Sequence, residues 1–215
     1  MTVEWDGVGN RDSYREPIVV QRDRLADAAG EGRWPDVLAL LRDRSWANCV
    51  RLGGTSGFTP LHQAAWHGAE VAVVLELIEL GAWRTIRAAN RQRPVDVAEE
   101  KGHRHLLDVL RPAPKHPLPD AVSAGMQEQL HLLIRGRIPK LYLENRLRLP
   151  QIEPLTELDE PKLWFPVPGL YGGFSIELGG AELTVRSWNR VHGGWAQTHR
   201  ITRDTIQLVE SGWDI

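Results

Sequence analysis

The sequence predicts an α+β chain in two parts. An N-terminal helical stack spans residues 22–111, and a small antiparallel β-rich domain with one or two helices spans residues 121–215. Three observations predict it. A helix–loop–helix pattern recurs three times in the first half, with Gly32, Gly68 and Gly102 spaced 36 and 34 residues apart. Pro112, Pro114, Pro117 and Pro119 fall within eight residues and mark a stiff linker over 112–120. From Leu163 onward apolar and polar residues alternate with the period-two pattern of strands. Residues 1–21 precede the repeats as an N-terminal arm.

The most regular repeat begins Gly57-Phe58-Thr59-Pro60-Leu61-His62-Gln63-Ala64-Ala65-Trp66-His67-Gly68. Thr59 suits an N-cap, because its hydroxyl can satisfy a free N–H of the first turn. Pro60 then sits at N1, where a missing N–H costs nothing. Leu61, Ala64 and Ala65 share a face, and the small alanines let a paired helix approach closely. Gly68 ends the helix where a left-handed residue is wanted. A second helix follows over Val71 to Leu80. The pattern returns as Arg93-Pro94-Val95-Asp96-Val97-Ala98-Glu99-Glu100-Lys101-Gly102, with Leu106 to Leu110 behind it. An eroded copy lies upstream, from Arg24 to Gly32 and then Val37 to Leu41.

The motif Thr59-Pro60-Leu61-His62-Gln63-Ala64 resembles the T-P-L-H-x-A signature of ankyrin repeats. About three repeats are expected, the outer two degenerate. The resemblance implies protein binding through loop tips and the groove. Carried over position by position, it marks Ser56, Phe58, Trp66 and His67 in the middle copy, and Asn90, Gln92, Glu100 and Lys101 in the third. It implies a structural, hydrogen-bonding role for His62. Phe58 and Trp66 stand out, since aromatics dominate binding hot spots.

Charge and cysteine content narrow the partners. Residues 1–111 carry 15 Lys+Arg against 16 Asp+Glu, and residues 112–215 carry 11 against 12. Neither half offers the cation surplus that phosphate contacts need, so no nucleic-acid partner is expected. The single cysteine, Cys49, fits a reducing compartment and excludes zinc patterns built on a Cys pair. The acidic start and the lack of a long apolar run predict no signal peptide, no membrane partner and a cytoplasmic location.

In the second half, Met126, Leu130, Leu133 and Ile134 predict an amphipathic helix over 121–135. Leu141 to Leu149 fits neither period cleanly. Alternating stretches at Phe174 to Leu178, Glu182 to Trp188 and Thr205 to Val209 predict three to five strands, with Gly179-Gly180 as a hairpin turn. The stretch Trp164 to Phe174, with Ser187 to His199, is similar to a C-terminal module of actinobacterial proteins, some of which carry ankyrin repeats. That resemblance brings no chemistry with it. Tyr171, Trp188, Arg190, His192, Trp195 and His199 are the candidate residues of a C-terminal cleft. It could be a packed loop, an aromatic cleft for a peptide or glycan, or a catalytic site with His192 and His199 as acid and base.

The expected function is non-enzymatic protein binding: an immunity protein that neutralises a bacterial toxin by direct contact, or a regulatory adaptor. The alternative is an enzyme with a site in residues 164–200 whose target the repeats select. No catalytic residue, cofactor or metal site is expected. No nucleophile motif accompanies the histidines, and the glycine spacings match no phosphate-binding loop.

Overall fold

The computed structural model describes residues 3–42, 46–189 and 195–212. The chain divides into two compact units. One holds Tyr14–Ala113, and the other joins the residues up to Ser13 with those from Pro114 on. The boundaries expected at 21/22, 111/112 and 120/121 therefore move.

The first unit is helical. It contains α1 (Glu16–Gly30), α2 (Trp34–Arg42), α3 (Pro60–His67), α4 (Val71–Glu79), α5 (Pro94–Glu100) and α6 (Leu107–Leu110), the last entered through a 3-10 turn at Arg104–Leu106. α1, α3 and α5 pack in one row, while α2, α4 and α6 pack in a second. Between the rows lie Leu25, Ala28, Ala29, Leu61, Ala64, Ala65 and Ala98 from the first, and Val37, Val74, Leu77 and Leu110 from the second. Gly68 adopts φ 63°, ψ 43° at the end of α3, and a Cβ there would stand 2.5 Å from the His103 ring. That position tolerates only glycine.

The unit is also laced by hydrogen bonds that step from one helix pair to the next. His67 Nε2–H donates to the Gly30 carbonyl at 3.0 Å. His103 Nε2–H donates to Trp66 O at 3.1 Å, and His105 Nε2–H to Ala69 O at 3.2 Å. Each satisfies a carbonyl at or just past a helix C-terminus, where free acceptors accumulate. The His103 and His105 rings approach edge to face, with centroids 6.0 Å apart.

The second unit contains a six-stranded sheet. Its strands are β1 (Val3–Glu4), β2 (Lys162–Val167), β3 (Gly172–Gly179), β4 (Glu182–Asn189), β5 (Trp195–Ile201) and β6 (Ile206–Gly212), in that spatial order. β1 runs parallel to β2, and every other pairing is antiparallel. The sheet is thus mixed and one strand larger than the three to five expected. The extra strand comes from the expected arm. Trp5, which follows β1, is fully buried, and its indole N–H donates to Arg148 O at 2.7 Å. Helices α7 (Asp120–Arg137) and α8 (Pro139–Glu144) precede β2. α7 packs along one face of the sheet, where Met126, Leu130 and Ile134 join Leu163, Phe165, Phe174, Ile176 and Val185 at zero exposure. The Pro-rich segment is not a free linker. Lys115 and His116 N–H groups both donate to Thr156 O, at 2.8 and 3.1 Å. Among the described residues no helix is long and apolar enough to cross a membrane.

Candidate functional site

The helical unit gathers seven of its eight candidate positions into one surface. It is built upward from His62, which is fully buried. His62 Nδ1 accepts the Thr59 backbone N–H at 3.3 Å and faces Thr59 Oγ1 at 2.9 Å. Its Nε2 lies 3.1 Å from the Gln92 carbonyl, which can only accept, so Nε2 carries the proton. This one imidazole ties the start of α3 to the loop ahead of α5. It also supports Phe58, whose ring stacks on it at 5.2 Å.

From Phe58 the surface runs across α3 and α5. Trp66 meets Phe58 edge-on at 6.1 Å, and Lys101 Nζ sits 3.5 Å above the Trp66 ring. Lys101 pairs with Glu100 at 3.4 Å, and Gln92 Nε2 donates to Glu100 at 2.6 Å. The Gln92 hydrogen bond, then the hydrogen bond and positive charge of Lys101, hold the Glu100 carboxyl below the usual range. Asn90 closes the row: its amide donates to the Gln92 side chain, and its Oδ1 accepts the Gln92 N–H at 3.1 Å. Ser56 Oγ accepts the Phe58 N–H at 3.3 Å, and Ser56 O accepts Ala89 N–H at 2.9 Å, joining the two loops. Trp66 remains 43% exposed at the centre of this row. A cleft of about 280 Å³ opens beside Phe58, between α1 and α3, with Leu25, Ala29, Cys49 and Gln63 in its walls.

His67 is the candidate that does not join. Its donor is spent on Gly30, and its ring meets Trp34 edge-on at 6.1 Å. It faces the preceding helix pair and not the groove.

The described members of the candidate C-terminal cleft do not converge on one face. Arg190 and His192 lie outside the described residues. Tyr171 occupies an exposed turn at φ 51°. Trp188 pairs with Ala196 across β4 and β5, whereas Asn189 pairs with Trp195 and Val185 with His199. Residues directly opposite share a face, so Trp188 points one way and Trp195 and His199 the other.

Each face has its own chemistry. On the helix-covered face, the Arg137 guanidinium lies 3.7 Å over the Trp195 ring and donates to the Gln197 side chain. Burial lowers the Arg137 pKa. His199 is depressed as well, first by burial and then by Arg137, so its imidazole is neutral near pH 7. His199 Nδ1 and Ser187 Oγ are buried without a hydrogen-bond partner among the described residues. On the opposite face Trp164 and Trp188 stack at 4.4 Å with an interplanar angle of 19°. Period-two alternation alone could not reveal this pair, because the rings meet across β3. Its signal was Gly173, inside a strand between aromatics: a Cβ there would come within 2.7 Å of the Trp164 ring. Among the described residues no group of three or more His, Cys, Asp or Glu is placed to hold a metal.

Two curated proteins share a segment with this chain: oxysterol-binding protein-related protein 1 of Mus musculus and of Rattus norvegicus. Each is 39% identical over 83 residues, covering 39% of this chain. The chain spans about 8% of the length of these relatives. No known family profile matches the chain.

Proposed function

We propose that the helical unit is an ankyrin-type stack that binds another protein through the surface running from Ser56 and Phe58 over Trp66 to Lys101, Glu100, Gln92 and Asn90. The observation that carries this reading is the half-exposed Trp66, held between Phe58 and Lys101 in a row of mutually bonded side chains. A rigid aromatic with a polar rim is the composition of an interface hot spot. Its side chains are already ordered, so binding loses little rotamer freedom. The adjoining cleft beside Phe58 suits one inserted partner side chain. His62 acts beneath this surface as a structural brace. The partner is a protein whose neutralisation or recruitment is the function, as for a toxin met by its immunity protein or a client met by an adaptor.

Tagged full-length protein captures its partner from the native host, mass spectrometry identifies it, and calorimetry with the purified partner measures affinity. Trp66→Ala and Lys101→Glu, both at the surface, are expected to weaken binding about 30-fold, the effect of losing a hot spot worth about 2 kcal/mol. A partner that binds both variants like the parent refutes the proposed surface. For the toxin version, co-expression with a toxin encoded beside this gene restores growth and Trp66→Ala abolishes the rescue. Growth that is not restored leaves only the adaptor.

A further inference from the structure

The open face of the sheet carries a second site, in the other unit and independent of the protein-binding reading. Trp164 from β2 leans over Gly173 to stack on Trp188 from β4, and this pair forms one wall of a cleft of about 530 Å³. Ser175, Thr184 and Thr198 add hydroxyls from three successive strands, all on the Trp face by register. Lys162 and Glu177 close one side as an ion pair at 3.2 Å, and Arg186 reaches over Trp188 at 5.7 Å.

The lining decides the ligand class. The volume falls within the roughly 300–1,000 Å³ of small-molecule pockets and is too small for a folded partner's surface. A phosphate or polyanion would be drawn by Lys162 and Arg186 but would have to lie against the Glu177 carboxylate that already pairs with Lys162. A cationic ligand would meet Lys162 and Arg186. A wholly apolar ligand would strand three hydroxyls and an ion pair. What remains is a neutral molecule with an apolar face for the indole wall and hydroxyls that both donate and accept. We infer that this face binds a neutral saccharide, of mono- or disaccharide size, with the Trp164–Trp188 wall against its C–H face. Ser175, Thr184, Glu177 and Arg186 would exchange hydrogen bonds with its hydroxyls.

Saturation-transfer NMR and calorimetry on the full chain test this with glucose, maltose, cellobiose and chitobiose, against adenosine monophosphate and inorganic phosphate. At least one saccharide is expected to bind more tightly than both comparators. Trp188→Ala should weaken it at least about tenfold. Thr184→Val and Glu177→Gln, at exposed positions that leave the melting temperature unchanged, should weaken it severalfold. Binding by none of the four saccharides overturns the inference. So does tighter binding of adenosine monophosphate, or saccharide binding indifferent to Glu177→Gln and Thr184→Val. Loss of partner binding in Trp66 variants has no bearing on the outcome, so the two readings fail separately.

Discussion

Replacing His62 with alanine tests the brace beneath the proposed surface. The ring is fully buried and makes bonds at both ends, to the Thr59 N–H and to the Gln92 carbonyl. Each lost bond is worth about 1 kcal/mol, and stranding a buried donor adds roughly 1–3 kcal/mol. Thr59 is 1% exposed and cannot turn to water. The Gln92 carbonyl lies at a half-buried residue and regains some hydration. The sum is a loss of about 3 kcal/mol, or about 12–24 °C in melting temperature for a unit of this size. His62→Asn separates the two ends. Its short amide still accepts the Thr59 N–H, as a capping-box residue does, but cannot reach Gln92. It should recover about half the loss. Urea unfolding followed by circular dichroism at 222 nm measures all three proteins. An alanine variant within about 0.5 kcal/mol of the parent, or an asparagine variant no better than alanine, would refute the brace.

Other substitutions test other contacts. Gly68→Ala combines a left-handed backbone with a Cβ 2.5 Å from the His103 ring, whereas Gly102→Ala shares the positive φ and meets no atom of the described residues within 4 Å. The first should cost about 2–3 kcal/mol and the second about 1 kcal/mol, and equal losses in urea titrations would contradict the His103 contact. Gly173→Ala drives a methyl against the Phe165 carbonyl of β2 and, at 2.7 Å, the Trp164 ring, so β2 must shift from β3: the near-ultraviolet exciton signal of the stacked Trp164–Trp188 pair should collapse and the melting temperature of the β unit should fall, and a variant that keeps both would contradict the close approach. His131 and His199 are both held below the usual imidazole range, chiefly by burial. Protons therefore bind the unfolded chain first, and the stability of the β unit falls as pH drops below about 6.5, by at most about 1.4 kcal/mol per pH unit for each histidine. His199→Gln should flatten the stability-versus-pH curve between pH 7 and 5; an unchanged slope would exclude it as a contributor.

What the sequence revealed follows the range of the forces involved. The Thr59-Pro60-Leu61-His62 helix start was readable because capping and proline placement act within four residues. The strands around Ile176 and Val185 were readable because one face is buried and alternation records it. β1 was not, because Val3 pairs with Leu163 across most of the chain and two residues hold no period. The faces of Trp188, Trp195 and His199 were also out of reach. They depend on the register across the connection between β4 and β5, and one residue of slip would exchange them. The bond that sets His67 apart from the row was out of reach for a related reason. Helical position puts it near the groove, but the Gly30 carbonyl of the preceding pair claims its proton.

The carbonyl-capping histidines give the helical stack a direction. His67 finishes α1 and His103 finishes α3, so each of these two helices is completed by the pair that follows it in the chain. Trimming the array from its C-terminal end leaves the previous pair with an open carbonyl; trimming from the front leaves only a histidine with nothing to do. The two acceptors, Gly30 and Trp66, stand at matching points of the sequence pattern, two residues before Gly32 and Gly68.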